Sequence, residues 1–69
     1  MKINNRVKEM RARHSLTQEK LAKSVNVTRQ TIVALEKGSY TPSLLLAMQI
    51  ANVFESQVEE IFRIEEEEQ

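Results

Sequence analysis

Apolar residues recur at intervals of three and four along most of this chain, with polar side chains between them. This spacing is typical of amphipathic helices, because it places the apolar side chains on one face of a 3.6-residue turn. The pattern predicts five helices, at about residues 5–13, 18–25, 29–37, 42–54 and 57–62.

The second and third predicted helices are separated only by Val25-Asn26-Val27. Thr17 is at the N-cap position of the second helix and Thr28 is at that of the third. Gly38 follows the last residue of the third helix, where glycine commonly ends a helix. Asn26 suits a left-handed turn position, and the small side chain of Ala22 allows the two helices to cross closely. This arrangement predicts a helix-turn-helix over about residues 17–37, whose second helix can enter the DNA major groove.

Capping patterns indicate where the last two helices begin. Pro42 fits the first position of the fourth helix, with Thr41 as its N-cap. Ser56 and Glu59 form the S-x-x-E pattern of a capping box, which predicts the start of the fifth helix. Asn4 or Asn5 can cap the first helix in the same way.

The fourth helix is apolar on two sides. Leu44, Ala47, Ala51 and Phe54 form one stripe, and a second stripe contains Leu46, Ile50 and Val53. Leu45, Gln49 and Asn52 remain for a solvent-exposed face. A helix that is apolar on two sides is buried on two sides, so we expect one stripe in the core and the other at a subunit interface.

The two ends of the chain suggest a small sheet. Phe62-Arg63-Ile64 alternates in the way a strand does, and Ile3 can lie in a partner strand. The expected fold is therefore mainly all-α, with five helices in a single domain over residues 1–69 and with a short two-stranded sheet from the termini.

The net charge of zero conceals two oppositely charged parts. Residues 1–54 hold nine Lys/Arg against three Glu, for a net charge of +6, whereas residues 55–69 hold one Arg against seven Glu, for −6. A basic body suits a polyanion, provided that the acidic end at 65–69 lies away from it. The charge distribution alone is equally compatible with basic and acidic side chains that only interact with solvent.

Size and composition indicate how the fold is stabilised and in which compartment the protein is expected. A chain of 69 residues without cysteine has neither a disulfide nor a thiolate metal site to stabilise it, so we expect dense helix packing or dimerisation. The sequence contains no signal-peptide pattern and no apolar run long enough for a membrane span, and we therefore expect a cytoplasmic protein with no membrane association.

Together these motifs resemble the Xre family, the Cro- and phage-repressor-type transcriptional regulators, over roughly residues 5–62. The resemblance implies a lambda-repressor-like DNA-binding domain that acts as a homodimer on double-stranded DNA. It also implies that Lys2–Asn4 pair with Phe62–Glu65. The residues that match the family motif are Gln18, Leu21-Ala22, Val27-Thr28, Ile32, Leu35-Glu36, Gly38, Pro42-Ser43, Ile50-Ala51 and Ile61-Phe62.

Four side chains on the outward face of the third helix are candidates for contact with bases. Arg29 can donate two hydrogen bonds to guanine, and Gln30 can form a similar pair with adenine. Val33 and Ala34 can contact only a thymine methyl group. The alternative is that these are ordinary solvated helix positions.

Phosphate contacts are expected on either side of these positions. Gln18 opens the second helix, where amide groups and the helix dipole favour an anion, and the resemblance implies a phosphate contact there. Thr28 can combine capping with such a contact, and Tyr40 can equally pack on its loop. The remaining candidates are Lys37, Ser39, Thr41 and Ser43.

Two further predictions concern an ion pair and the subunit interface. The resemblance implies that Arg11 and Glu36 form a partly buried ion pair between the first and third helices. For the subunit interface we expect the second stripe of the fourth helix together with the C-terminal strand, that is, Leu46, Ile50, Val53 and Ile64.

The leading hypothesis is a sequence-specific DNA-binding regulator, a repressor that binds a palindromic operator. The alternative is an antitoxin-like protein-interaction module, in which the acidic end or the apolar fourth helix holds another protein. An enzyme is a poor fit, because His14 is the only histidine and adjoins Ser15 in a turn, where a catalytic dyad is rarely possible. His14 instead suits a helix C-terminus, and no cofactor or metal is expected.

Overall fold

The computed structural model describes residues 1–66. Over that range it contains five helices and one two-stranded antiparallel sheet, as the sequence predicted. Of the acidic end predicted at 65–69, residues 67–69 lie outside the described part. The elements in chain order are β1 (Lys2–Asn5), α1 (Val7–Arg13), α2 (Gln18–Ser24), α3 (Arg29–Lys37), α4 (Leu44–Val53), α5 (Val58–Ile61) and β2 (Phe62–Glu65).

The predicted ends of α2 and α3 are confirmed. The Thr17 hydroxyl accepts a hydrogen bond from the Lys20 amide at 3.0 Å, and the Thr28 hydroxyl accepts one from the Thr31 amide at 3.3 Å. Asn26 has a φ of 61° in the turn between the helices, and Gly38 ends α3 with a φ of 82°. Both positive φ values occur where the sequence requires residues that tolerate a left-handed backbone.

Two predicted helix starts are wrong by a short distance. Ser43, rather than Thr41, caps α4, because its hydroxyl is the one that accepts the Leu46 amide, at 3.1 Å. Pro42 therefore precedes the cap instead of opening the helix.

The capping box of α5 is also displaced, by one residue. It is formed by Gln57 and Glu60, with the Gln57 amide donating to Glu60 Oε1 at 2.8 Å. The Ser56 hydroxyl is committed elsewhere, since it donates to the Phe54 carbonyl at 3.1 Å. Glu55 has a φ of 52° and so adopts a left-handed conformation between the end of α4 and the start of α5.

The core lies where the five helices meet. Each helix contributes at least one apolar side chain that is almost completely removed from solvent, and removal of such side chains from water is the main favourable term in folding. The largest of these side chains are Val7, Leu21, Ile32, Leu35, Ile50, Phe54 and Ile61.

The predicted subunit interface on α4 is wrong for two of its residues. Leu46 and Ile50 are only 5% and 0% exposed, because they pack in the core of the same chain. Val53 is half-buried and packs against that core as well. The surface of α4 instead carries Leu44, at 73% exposure, together with Leu45 and Met48, at 67% and 55%.

The termini form the expected antiparallel sheet. Ile3 is paired with Ile64, and Asn5 is paired with Phe62. The Arg6 amide continues the connection by donating to the Ile61 carbonyl at 2.9 Å. The sheet therefore attaches both chain ends to α5 and to the start of α1. Within residues 1–66, no helix has the length and apolar character needed to cross a membrane.

Candidate nucleic-acid interface

The third helix has a buried side and an exposed side. Ile32 and Leu35 anchor α3 in the core, and the opposite side carries exposed or half-buried residues from both ends of the helix. This arrangement follows from the helical period, because residues three and four apart share a face. The residues that line one shallow depression on the outer surface are Arg29, Gln30, Val33, Ala34, Lys37 and Ser39.

Arg29 and Gln30 lie at the N-terminal end of that surface and are exposed. Among residues 1–66, neither side chain has a hydrogen-bond partner within the protein. Both are thus available for an external ligand. A guanidinium group and a carboxamide present the paired donors, or the donor and acceptor, that match purine edges in the major groove. The structure brings all four sequence-predicted base-contact candidates onto one surface.

The structure places the Gln18 side chain in a different role from the one suggested by sequence. Its Nε2 atom donates to Glu36 Oε1 at 3.1 Å, in a partly buried position. The carboxamide therefore links the start of α2 to α3. What Gln18 still offers to an anion is its backbone amide, which belongs to the first turn of the helix and has no intrahelical acceptor.

The loop after α3 exposes Ser39, Tyr40 and Thr41, and Lys37 is exposed just before it. Tyr40 is 42% exposed and lines a groove between this loop and the terminal sheet. Packing on the loop and contact with a phosphate are both compatible with this position. The hydroxyl groups of Thr28 and Ser43 serve as helix caps, and both residues are nevertheless exposed.

Arg11 and Glu36 form an ion pair beneath this surface. Arg11 Nε and Nη2 donate to the two carboxylate oxygens of Glu36 at 2.6 and 3.1 Å, and the two side chains are only 15% and 7% exposed. Arg11 Nη1 also donates to the Leu16 carbonyl at 2.9 Å. The pair therefore holds α1, α3 and the segment before α2 in fixed relation.

The environment of Glu36 favours its ionised form. Burial by itself acts to raise the pKa of this carboxyl, but the hydrogen bonds from Arg11 and Gln18, together with the positive charges of Arg11 and Lys8, outweigh burial, so that the pKa lies below its ordinary value. The pKa of Arg11 is raised, chiefly by its hydrogen bonds to Glu36. Both groups are consequently charged at neutral pH, and the bidentate geometry gives the link a defined direction.

One residue that contacts α3 was not among the sequence-predicted candidates. Asn5 donates from Nδ2 to the Leu35 carbonyl at 2.9 Å and accepts from the Val7 amide at 3.1 Å. The sequence suggested Asn5 only as a cap for α1, and the structure assigns the N-cap position itself to Arg6, without a side-chain hydrogen bond. A contact between residues thirty positions apart leaves no signal in local spacing.

His14 is the C-cap residue of α1, in agreement with the helix-end role suggested by sequence. Its ring lies 5.2 Å from that of Phe54, centroid to centroid, at a tilt of 44°. Within residues 1–66, no group of three or more His, Cys, Asp or Glu side chains is arranged so that it could hold a metal ion.

This geometry agrees with comparisons to known proteins. The helix-turn-helix family model matches residues 7–61, and the chain belongs to this family, in its Xre-type branch of transcriptional regulators. The family is one of regulators and not a class of enzymes.

Similar proteins occur in bacteria and archaea. "Uncharacterized HTH-type transcriptional regulator YgzD" of Bacillus subtilis is 54% identical over 65 residues, which cover 94% of this chain and 98% of the relative. An HTH-type transcriptional regulator of Archaeoglobus fulgidus is 56% identical over 66 residues, which cover 96% of this chain and 93% of the relative.

A solved structure shares the fold. The chain superimposes with a TM-score of 0.81 on a crystal structure from Bacteroides fragilis described as a "putative DNA-binding protein". The match covers 88% of this chain and 98% of the other, at 21% sequence identity. At this identity the similarity establishes a common fold.

Proposed function

We propose that this protein is a sequence-specific DNA-binding transcriptional repressor that binds a palindromic operator as a homodimer. The observation that carries the proposal is the exposed outer surface of α3, with Arg29 and Gln30 unpaired at its N-terminal end within the described residues. In helix-turn-helix proteins this end of the recognition helix meets base edges.

The proposed division of labour follows from side-chain chemistry. Arg29 and Gln30 read bases through paired hydrogen bonds, and Val33 and Ala34 contact thymine methyl groups. Around them, a ring of polar groups contacts the DNA backbone and sets orientation without reading sequence. This ring consists of Gln18 through its backbone amide, Thr28, Lys37, Ser39, Tyr40, Thr41 and Ser43.

A rigid support makes such reading possible. Arg11 and Glu36 join α3 to α1 through two short hydrogen bonds, and Gln18 joins α3 to α2 through the same carboxylate. A recognition helix held on two sides loses little conformational freedom on binding, which lowers the free-energy cost of forming the complex.

The second copy is expected to cover the exposed surface of α4. Leu44, Leu45 and Met48 are neighbours on the helix surface, and none of the ten residues of α4 is charged. An exposed apolar patch without charges fits the core of a protein interface, from which charged residues are depleted. Ile64 is also exposed and remains part of the proposed interface.

The position of this patch favours a second copy of the chain over a different protein. The loop that follows α3 leads directly into α4, so a two-fold axis at Leu44 and Leu45 brings two such loops side by side. A homodimer on a palindromic operator places its two recognition helices in successive major grooves, about 34 Å apart. This geometry requires an operator with two-fold symmetry.

Selection of bound duplexes from a random pool, at a stated salt concentration, tests the proposal. We expect a palindromic consensus with half-sites one helical turn apart, and fluorescence anisotropy should show affinity falling steeply with added salt. Equal affinity for the selected and the scrambled duplex would contradict sequence specificity. Recovery of one stoichiometric protein partner, without duplex affinity, would favour the antitoxin-like alternative.

A further inference from the structure

The side-chain amide of Asn5 links the terminal sheet to the recognition helix. Asn5 is the last residue of β1, opposite Phe62 in β2, and its Nδ2 atom donates to the Leu35 carbonyl in the last part of α3. Among residues 1–66, this is the one hydrogen bond of a sheet side chain to α3. The same side chain accepts the Val7 amide, which fixes the orientation of its two polar atoms.

The Leu35 carbonyl lies in the last turn of α3, where the chain leaves the helix. It also accepts a hydrogen bond from the amide of Gly38, at 3.1 Å, in the left-handed turn that ends α3. Asn5 therefore holds the carbonyl group around which the chain turns from the helix into the loop at 39–43. Lys37 lies between Leu35 and Gly38 in the chain and is exposed.

The two sides of this helix end are held by different means. Glu36 is fixed by Arg11 and Gln18, which come from α1 and the start of α2. The carbonyl of the preceding residue is fixed by Asn5, which comes from the sheet. The contacts of Glu36 orient α3 relative to α1 and α2. The hydrogen bond from Asn5 acts on the last turn of α3, where the chain leaves the helix.

We propose that Asn5 is a positioning residue for DNA binding: its amide group, by holding the Leu35 carbonyl, sets the direction of the chain after α3 and so places Lys37 and the loop at 39–43 against the DNA backbone. The proposal rests on the DNA-binding function proposed above. It assigns to the terminal sheet a part in DNA binding that does not require the sheet to touch DNA.

Asn5→Asp is a selective test, because the two side chains have nearly the same size. Aspartate keeps an oxygen to accept the Val7 amide but replaces the donor with a second oxygen that repels the Leu35 carbonyl. Asn4→Asp is the matched control, since it adds the same charge one residue away and likewise replaces a hydrogen-bond donor by an oxygen that repels its former acceptor, here the Glu65 carboxylate. Among residues 1–66, the Asn4 side chain donates to Glu65 Oε2 at 2.8 Å and has no hydrogen bond to α3.

The measurement is the affinity for the selected operator duplex at several salt concentrations, at a temperature where circular dichroism shows each variant to be folded. We expect Asn5→Asp to weaken binding by about tenfold, as removal of about one good hydrogen bond to DNA would. The slope of log affinity against log salt should shrink by about 0.9 for each phosphate that the variant no longer neutralises. Asn4→Asp should change the slope little.

A lowered unfolding midpoint with an unchanged salt slope would show a merely structural role and overturn the proposal. The same conclusion would follow if Asn5→Asp and Asn4→Asp bound alike. Should Asn5→Asp not fold, Asn5→Ser takes its place, because a serine hydroxyl can accept the Val7 amide but is too short to reach the Leu35 carbonyl.

Failure of the proposed function is distinguishable from failure of this inference. If the parent chain binds no duplex, the DNA-binding role of Asn5 falls with it. Amide chemical shifts then report separately on the helix end: large shifts at Leu35, Gly38 and Ser39 in Asn5→Asp, but not in Asn4→Asp, would show that Asn5 still holds this turn.

Discussion

Arg11 and Glu36 join the first helix to the recognition helix through two hydrogen bonds of 2.6 and 3.1 Å, although they are twenty-five residues apart in the chain. The carboxylate is shared with Gln18, so three helices meet at one charged group. A nearly buried pair of this kind contributes more through the penalty of removing one partner than through its net strength.

Replacement of Arg11 by alanine should lower the free energy of unfolding by about 2 kcal/mol, less than for a fully buried pair because this pair retains some solvent exposure. Urea denaturation followed by circular dichroism gives this value. The control is Arg13→Ala, whose ion pair with Glu9 is solvent-exposed and should contribute little to stability. Similar losses in both variants would contradict the structural importance of the Arg11–Glu36 pair.

The Glu36 carboxyl should make stability depend on pH in the acidic range. Because its pKa in the folded state lies below the ordinary value of 4.5, its contribution is fully present above about 4.5 and is lost as pH falls through the lower folded-state value. Glu36→Gln should therefore be less stable than the parent at pH 7, with a difference that shrinks below pH 4.5. Urea midpoints from about pH 7 to about pH 3 measure it.

The control for this pH dependence is Glu19→Gln, an exposed position in the first turn of α2. At pH 7 this variant should lose less stability than Glu36→Gln, because Glu19 forms no ion pair among residues 1–66. A Glu36→Gln difference that is the same at every pH would mean that the ionised carboxylate is not what stabilises the fold.

Arg29 and Lys37 should respond differently to removal, if the first reads a base and the second a phosphate. Arg29→Ala should lose about 1–3 kcal/mol of discrimination at one operator position, whereas Lys37→Ala should weaken all duplexes alike and reduce the salt slope by about one. Anisotropy titrations with the operator and its single-base variants separate the two effects. Identical behaviour of both variants would refute this division.

Leu45→Glu should convert a dimer into a monomer without unfolding it, because the side chain is two-thirds exposed in the single chain and would bring two charges together at the interface. Analytical ultracentrifugation measures the mass, and circular dichroism checks the fold. Ala12→Glu adds the same charge at an exposed position on α1 and should remain dimeric. A parent chain that is monomeric at all concentrations would exclude this dimer.

The helix pattern was predictable because it depends on short-range rules. The caps of Thr17 and Thr28 and the left-handed turns at Asn26 and Gly38 all involve neighbours within three or four residues. The cap of α4 was misplaced because Thr41 and Ser43 offer the same chemistry two residues apart. Only the local backbone determines which hydroxyl reaches an amide.

Burial on α4 could not be predicted in full, for a different reason. Periodicity shows which residues share a face, but it does not show how far neighbouring helices extend over that face. Leu46 and Ile50 are therefore in the core, whereas Leu44, which belongs to the other apolar stripe, is exposed at the first turn.

The sequence by itself determined the helix-turn-helix and the outward position of Arg29 and Gln30, because local hydrogen bonding and the helical period suffice for each. The terminal sheet joins residues about sixty positions apart, and its pairing was expected from the family resemblance. Tertiary structure alone decided that the Gln18 side chain binds Glu36, that Asn5 holds the Leu35 carbonyl and which side of α4 is exposed. These features join residues far apart in the chain, and their partners are set by how the helices pack.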